Sequence, residues 1–179
     1  AALKPQIGEG INLGVAHRAP MAEFRAEIYW LNLSDEIGYV DNPGFSNDGN
    51  FNIEKSERVG INLVSDLRLS SSLDLEFSAS YVDAKATSGA QADKRIPLVS
   101  AKSMGASATK KFTNNWEAQF SWKYESDKVL GSDYNNDGSR IGSQTKSDLS
   151  IEKKFNDTKV RLGINNIFDQ TLYSYGVRG

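Results

Sequence analysis

One stretch of the sequence, rich in aspartate and asparagine, has residue types that could ligate a cation. Asp133, Asn135 and Asp137 occupy the first, third and fifth positions of a calcium-loop pattern, in which Gly138 would form the turn. Gln144 stands at the last ligand position in place of a bidentate glutamate, and a neutral amide contributes less to a Ca²⁺ site. No flanking helices are predicted. We interpret the stretch as a solvated loop, with weak calcium binding through Asp133, Asn135, Asp137 and Gln144 as the alternative, and we expect no other cofactor.

A second set of residues could bind an organic or anionic ligand. Its members are aromatic or basic and fall in polar connections: Tyr39, Phe45, Phe51, Tyr134, Arg140, Tyr173 and Tyr175. Aromatic rings suit flat ligands, and a guanidinium suits anionic ones. Packing of the loops against one another is the alternative role of the same residues.

The composition excludes several other functions. The 179 residues contain no cysteine and one histidine, so thiol chemistry, disulfides and histidine-rich metal sites are excluded. A formal net charge of −2 argues against nucleic-acid binding, which needs a basic excess. No apolar run approaches the length of about 18 residues that a membrane-spanning helix requires.

Period-two alternation of apolar and polar residues runs through the chain and predicts an all-β protein. We expect about eight strands, at residues 8–17, 23–39, 52–69, 73–85, 103–112, 115–126, 146–155 and 158–167. The second and third are long enough to contain a bulge or to project beyond the sheet. One face of these strands is apolar with Lys153 as its exception, whereas the other face carries many charges.

The connections between the predicted strands alternate between short and long. Short ones fall near residues 18–22, 70–72, 113–114 and 156–157, and long ones near residues 40–51, 86–102 and 127–145. This alternation is typical of an antiparallel up-and-down meander with its tight turns at one end, as in barrels of the bacterial outer membrane, and aromatic residues near both strand ends favour the same interpretation. Two alternatives stay open: a small self-contained outer-membrane barrel with a structural or adhesive role, and a soluble β-sandwich binding module.

The order of the connections predicts an arc of a larger barrel. The first and last connections are both short, so both chain ends would emerge on the side of the long loops. Complete outer-membrane barrels normally keep both ends on the other side, and this sequence closes on Val177, Arg178 and Gly179 rather than on an aromatic residue. We expect at least one further strand at each end, and a signal peptide, if any, before Ala1.

Four short motifs resemble the C-terminal part of the barrel of a TonB-dependent outer-membrane receptor. Leu-Lys-Pro-Gln at residues 3–6 is similar to the family's Leu-Lys-Pro-Glu, and Gly-Ile-Asn-Leu at 60–63 is similar to its Gly-Val-Glu-Leu. Ser-Tyr-Val-Asp-Ala at 80–84 resembles Ser-Tyr-x-x-x-Ala. The strongest match is Asn-Asn-Ile-Phe-Asp-Gln-Thr-Leu-Tyr at 165–173, which is similar to Asn-Asn-Leu-Phe-Asp-Lys-x-Tyr near the family's last strands.

The resemblance implies a 22-stranded barrel with a plugged lumen. Residues 1–179 would form a partial transmembrane domain without the plug, the TonB box and the final strand. It implies import of a scarce nutrient across the outer membrane of a Gram-negative bacterium, most often a ferric siderophore, with cobalamin, haem and glycans as other substrates. The implied partners are outer-membrane lipid and a small-molecule nutrient such as a metal chelate, and TonB would act only through the plug.

No enzymatic activity is expected. Outer-membrane lipases and proteases are the enzymatic alternative, and they need a histidine beside serine or aspartate inside the barrel or at its outer rim. His17 is predicted near a short turn on the lipid side of the first strand, which is the wrong end and the wrong face.

Overall fold

The computed structural model describes residues 2–40 and 49–177 and consists almost entirely of β-strands. Ten strands follow one another: β1 (Ile7–Ala19), β2 (Ala22–Val40), β3 (Gly49–Ser70), β4 (Leu73–Ser88), β5 (Lys102–Lys111), β6 (Trp116–Glu125), β7 (Lys128–Val129), β8 (Arg140–Ile141), β9 (Gln144–Phe155) and β10 (Thr158–Ile164). One turn of 3₁₀-helix, Thr113–Asn115, lies between β5 and β6. Among the described residues, no helix has the length and apolar character needed to cross a membrane.

Eight of the strands form one antiparallel sheet in the order β1-β2-β3-β4-β5-β6-β9-β10. The predicted up-and-down meander of about eight strands is therefore confirmed. β7 and β8 form a separate hairpin inside the connection from β6 to β9, which the sequence pattern did not predict because two residues are too short to show alternation. Within the described residues β1 and β10 lie at opposite edges and do not pair, so these strands do not close a small barrel by themselves and instead fit an arc of a larger one.

The tight turns gather at one end of the sheet. Residues 20–21, 71–72 and 156–157 make two-residue turns, and the 3₁₀ turn joins β5 to β6. Asn114, Asn115 and Asn156 have φ values of 58°, 61° and 46°, a region that asparagine tolerates better than most residues. The connections at 89–101 and 126–143 lie at the opposite end, which we call the loop end. The predicted long connection near residues 40–51 falls largely outside the described residues.

The two faces of the sheet differ in chemistry. On the apolar face, Ile61, Phe77 and Phe120 are 36%, 45% and 38% exposed. No second sheet packs over them in the described part of the chain, so the β-sandwich alternative is wrong for these strands. A broad exposed apolar surface of this kind requires a non-aqueous neighbour.

Hydrogen bonds between neighbouring strands characterise the other face, the polar face. The Arg25 guanidinium donates to the Asp66 carboxylate at 2.8 Å, across β2 and β3. Arg161 in β10 donates to Ser150 in the neighbouring strand β9 and, across β9, to Gln119 in β6, both at 2.8 Å. Each such exposed contact contributes little to the free energy of unfolding. Together the contacts hold in place the side chains that alternation puts on the polar face.

Lys153 is the charged exception on the apolar face. Its ammonium lies 5.0 Å from the ring centre of Trp116 and 5.5 Å from that of Phe155. The same group donates a hydrogen bond to the Asn114 carbonyl in the short turn. The aliphatic stem therefore crosses apolar surface while the charge reaches the turn and two aromatic faces.

The long strands β2 and β3 contain irregularities, as predicted. Asp35 has a φ of 54°, and pairing resumes beyond it with Glu36 opposite Ile53. A register shift also separates Lys55 from Ser56 where β3 pairs with β4. Because an irregular residue changes the face on which the next side chain lies, Glu36 reaches Arg58, with 2.6 Å between carboxylate and guanidinium.

A small hydrophobic core lies at the loop end, which the alternation pattern did not predict. We call it the loop-end core: Ile53, Ala84, Ala86 and Ile96, with Phe51, Val82, Val99 and Tyr134 packed around it. The segment 94–101 covers β4, since the Ala86 amide donates to the Lys94 carbonyl at 2.9 Å and the Ile96 amide to the Ala84 carbonyl at 3.0 Å. The connections at this end are therefore folded structures attached to the sheet.

Gly60 accommodates the ring of Tyr29, its cross-strand partner, because a Cβ at this position would overlap that ring. We expect Gly60→Ala to displace the ring and to lower the free energy of unfolding by about 1–3 kcal/mol. Denaturant unfolding of the whole protein in detergent micelles would measure the loss. Gly14→Ala is the matched control, since its Cβ would meet nothing closer than 3.5 Å. Equal losses in the two variants would contradict the prediction.

Candidate ligand-binding surface at the loop end

The aromatic and basic residues proposed from the sequence separate into two kinds of environment. Phe45 lies outside the described residues. Phe51 and Tyr134 are engaged in packing, whereas Tyr39, Tyr173 and Tyr175 are 49%, 57% and 55% exposed. Arg140 is exposed and belongs to a charged cluster.

Phe51 and Tyr134 connect β3 to the β6–β9 connection. Their ring centroids are 4.8 Å apart and the rings meet edge to face at 88°. The Tyr39 amide donates to the Tyr134 hydroxyl at 3.2 Å, and a Cβ at Gly38 would lie only 2.7 Å from that hydroxyl oxygen. Burial raises the pKa of the Tyr134 phenol, which therefore stays neutral at physiological pH. These contacts match the loop-packing role, and ligand binding by this pair stays a prediction.

The exposed tyrosines sit on a backbone that is held in place. Gln144 binds both main-chain groups of Tyr173: its amide nitrogen donates to the Tyr173 carbonyl at 2.9 Å, and its oxygen accepts from the Tyr173 amide. Near Tyr175, the Gly131 amide donates to the Gly176 carbonyl at 2.7 Å. An exposed ring on a fixed backbone loses little entropy on stacking against a ligand, so both tyrosines suit such a role.

Arg140 shares one carboxylate with a second arginine. Its guanidinium lies 2.7 Å from Asp127, and the Arg95 guanidinium lies 3.3 Å from the same oxygen. The hydrogen bond from Arg140 is the largest cause that holds the pKa of Asp127 below its ordinary value, and Arg95 adds to the effect. Two cations on one anion leave this cluster with a positive excess, which favours an anionic ligand.

The ion pairs of Asp127 should be lost only in acid. Because the pKa of Asp127 is lowered on folding, its contribution to stability is complete above the unfolded value of about 3.9 and disappears as the pH falls through the folded pKa below it. We expect the melting temperature of the whole protein to exceed that of Asp127→Asn by a constant amount from pH 5 to 8. The difference should begin to shrink as the pH falls below about 4 and should continue to shrink as the pH passes through the lowered pKa of folded Asp127. A difference that does not decrease as the pH falls below about 4 would contradict this assignment.

Asn136 is a structural residue that the sequence did not reveal. Its side chain accepts from the Arg95 amide at 2.7 Å and donates to the Arg95 carbonyl at 3.0 Å, so it binds the main chain of another connection as a strand would. Its own φ of 59° is one that asparagine tolerates. Arg95, Asp127 and Asn136 come together through long-range contacts, for which the local pattern carries no signal beyond turn-forming composition.

The residues of the calcium-loop pattern have other contacts. The carboxylate of Asp133, 2% exposed, accepts from the Asp137 amide at 3.3 Å and from the Gly138 amide at 3.0 Å. Gln144 is bound to Tyr173 as described, and Asn135 is exposed. Among residues 2–40 and 49–177, no three histidine or acidic side chains come together as a metal site would require. Calcium binding stays a prediction, and the visible role of Asp133 is to hold the turn.

An open antiparallel meander with one apolar exposed face, tight turns at one end and folded loops at the other defines the wall of an outer-membrane type of β-barrel. The sequence matches the family "TonB dependent receptor-like, beta-barrel" over residues 1–167. The chain belongs to this family, which confirms the resemblance carried by the four motifs. The family is one of receptors, which supports a non-enzymatic role at the family level.

Solved structures agree with this assignment of the fold. The copper transporter OprC is 17% identical with a TM-score of 0.80, over 97% of this chain and 28% of that one. The ferric yersiniabactin uptake receptor FyuA from Yersinia pestis is 15% identical with a TM-score of 0.81, over 97% of this chain and 27% of that one. The FrpB iron transporter from Neisseria meningitidis (F3-3 variant) is 15% identical with a TM-score of 0.70, over 94% and 28% of the two chains. The chain thus spans less than a third of the length of these receptors. No curated protein sequence matches it.

Proposed function

We propose that this chain forms part of the wall and of the outward loops of an outer-membrane receptor that imports a scarce nutrient, namely a metal chelate such as a ferric siderophore. The observation that carries the proposal is the exposed apolar face on a meander whose long connections fold together at one end. Such a sheet needs lipid on one side, and its polar face then borders the lumen.

The loop end supplies groups suited to a chelate. Exposed tyrosine rings at 39, 173 and 175 offer flat surfaces, and the cluster around Arg140 offers positive charge. The copper transporter and the ferric yersiniabactin receptor named above support metal-containing cargo as the first class to test. Haem, cobalamin and glycans are the other classes.

Energy coupling is also part of the proposal. A plug domain contributed by another part of the same protein would occupy the lumen, and TonB would act on that plug. The role of this chain is then to hold the plug within the wall and to present the loops.

Uptake in cells tests the proposal. Deletion of the gene should abolish accumulation of one radiolabelled metal chelate in iron-limited or copper-limited cells, and the intact gene should restore it. Complementation with a triple variant, Tyr39→Ala, Tyr173→Ala and Tyr175→Ala, should restore membrane insertion but only a small part of the uptake. A protein found in the soluble fraction, or unchanged accumulation of every chelate, haem, cobalamin and glycan supplied, would refute the function.

A further inference from the structure

A cationic cavity opens on the polar face just below the loop end. Its volume is about 420 Å³, and it lies between β6, β9 and the segment 172–174. Lys123 and Lys146 are direct cross-strand partners on its wall. Of the residues that the sequence analysis proposed for ligand or metal binding, only Tyr173 and Gln144 line this cavity.

Two lysines directly opposite each other destabilise a sheet unless something compensates them. Lys146 is partly compensated by Asp148, with 2.9 Å between the charged groups. Asp148 is itself held by the Asn166 amide at 2.8 Å, so its carboxylate is fixed beside Lys146. Asp148 also attracts Lys123 electrostatically. Among the described residues Lys123 makes no ion pair or hydrogen bond, and its cross-strand partner in β5 is Gly105, which has no side chain to offer one.

The remaining charges of the cavity leave a positive excess. Lys128 lies 2.5 Å from the Glu125 carboxylate, so this pair is satisfied internally. Three lysines therefore face two carboxylates, and both carboxylates are already engaged. The chain as a whole has a formal charge of −2, so the excess is local to this place.

The outer wall of the cavity is positioned by a specific contact. Gln144, at the start of β9, holds both main-chain groups of Tyr173, which keeps residues 172–174 over the lysine pair. A wall fixed in this way, with an aromatic ring at the rim and cations at the base, is organised to bind before any ligand arrives.

We infer that Lys123 and Lys146 form a binding site for the carboxylate or phosphate groups of a small anionic molecule, beneath Tyr173. The inference rests on the proposed function in one respect: the anion is a nutrient, or part of a chelate, that has passed the loop end and entered the lumen. Lys123 supplies a charge that is engaged in no ion pair or hydrogen bond among the described residues, Lys146 supplies a second donor, and Tyr173 covers the ligand.

Calorimetric titration of the whole protein in neutral-detergent micelles tests the site. The probes are inorganic phosphate, citrate and citrate loaded with Fe³⁺, with glucose as an uncharged control. We expect binding of citrate with or without iron, and no binding of glucose. The double variant Lys123→Gln, Lys146→Gln should weaken citrate binding by about tenfold or more. Binding of iron-loaded citrate alone would identify the chelate as the ligand, and equal binding of phosphate would identify the free anion.

Two further variants keep the test decisive. Lys159→Gln is the matched control, because Lys159 also lies on the polar face but is 3.0 Å from Glu152; its citrate affinity should equal that of the wild type. Glu125→Gln should release Lys128 and tighten binding by about threefold, a gain that general destabilisation does not produce. Unchanged affinity in the double variant, or an equal loss in Lys159→Gln, would overturn the inference.

The proposed function and the anion site fail in different experiments. Wild-type cells that import no nutrient would refute the proposed function while citrate titration in micelles still measures the site. Normal import with unchanged citrate affinity in the double variant would overturn the site and leave the receptor function intact.

Discussion

Replacing Ile53 with alanine is expected to lower the free energy of unfolding at the loop end by about 2–4 kcal/mol, because it opens a cavity where no lipid or water can replace the lost contacts. Ile53 is 1% exposed and lies at the centre of the loop-end core. The segment 94–101 and the ring of Tyr134 both pack against this core, so their attachment to the sheet should weaken together.

Hydrogen exchange on the whole protein in micelles would measure the effect of Ile53→Ala. The amides of Ala86 and Ile96, which bond to segment 94–101 and to β4, should lose protection by factors of a hundred or so, since about 2.7 kcal/mol corresponds to that ratio. Ile11→Ala is the control: Ile11 is exposed on the apolar face, so exchange at the loop end should not change. Protection that is unaffected in Ile53→Ala would mean that the loop connections are held by hydrogen bonds alone.

Replacing Tyr134 with alanine is expected to release the β6–β9 connection from β2 and β3 and to weaken nutrient binding by about tenfold to a hundredfold. The ring contributes the edge-to-face contact with Phe51, fills the space over Gly38 and accepts the hydrogen bond from the Tyr39 amide. Without it, Arg140 and the neighbouring loop residues must be ordered at the moment of binding, and that ordering costs affinity.

Tyr134→Phe separates the ring from the hydroxyl. It keeps the packing and removes one exposed hydrogen bond, so we expect at most about a threefold loss of affinity. The measurement is the dissociation constant of the imported chelate on whole cells, once uptake has identified it. If Tyr134→Phe is as defective as Tyr134→Ala, the hydroxyl contacts the ligand directly and the tyrosine belongs to the binding surface itself.

Much of the sheet could be predicted from alternation because each strand contributes apolar side chains to the apolar face and charged side chains to the polar face. The observed strands agree with the predicted ones to within a few residues, and β10 ends earlier, at Ile164. The tight turns could be predicted because turn-forming residues (Pro20, Ser71 with Ser72, and Asn156 with Asp157) stand between the alternating segments. The family motifs led to the expectation of a 22-stranded barrel, which alternation cannot provide and which stays a prediction.

The loop end was harder to predict because its structure depends on contacts between distant residues. Ala84 and Ala86 fall on the face that alternation marks as polar, yet the segment 94–101 buries them. The Lys123–Lys146 pair depends on the register between β6 and β9, which no single strand reveals. Of the residues proposed for ligand binding, Phe51 and Tyr134 lie at the loop end, but their packing partners were not predictable, and their ligand role stays a prediction.

The way in which Asn136 binds Arg95 affects how this surface can diversify. The asparagine contacts the peptide groups on either side of the Arg95 side chain and makes no use of the guanidinium. A substitution at position 95 that keeps its backbone conformation leaves this attachment intact while it changes the charge displayed to an arriving molecule. The ligand selectivity of the surface can therefore change through single substitutions while the backbone stays the same. Libraries randomised at such positions should retain folded members.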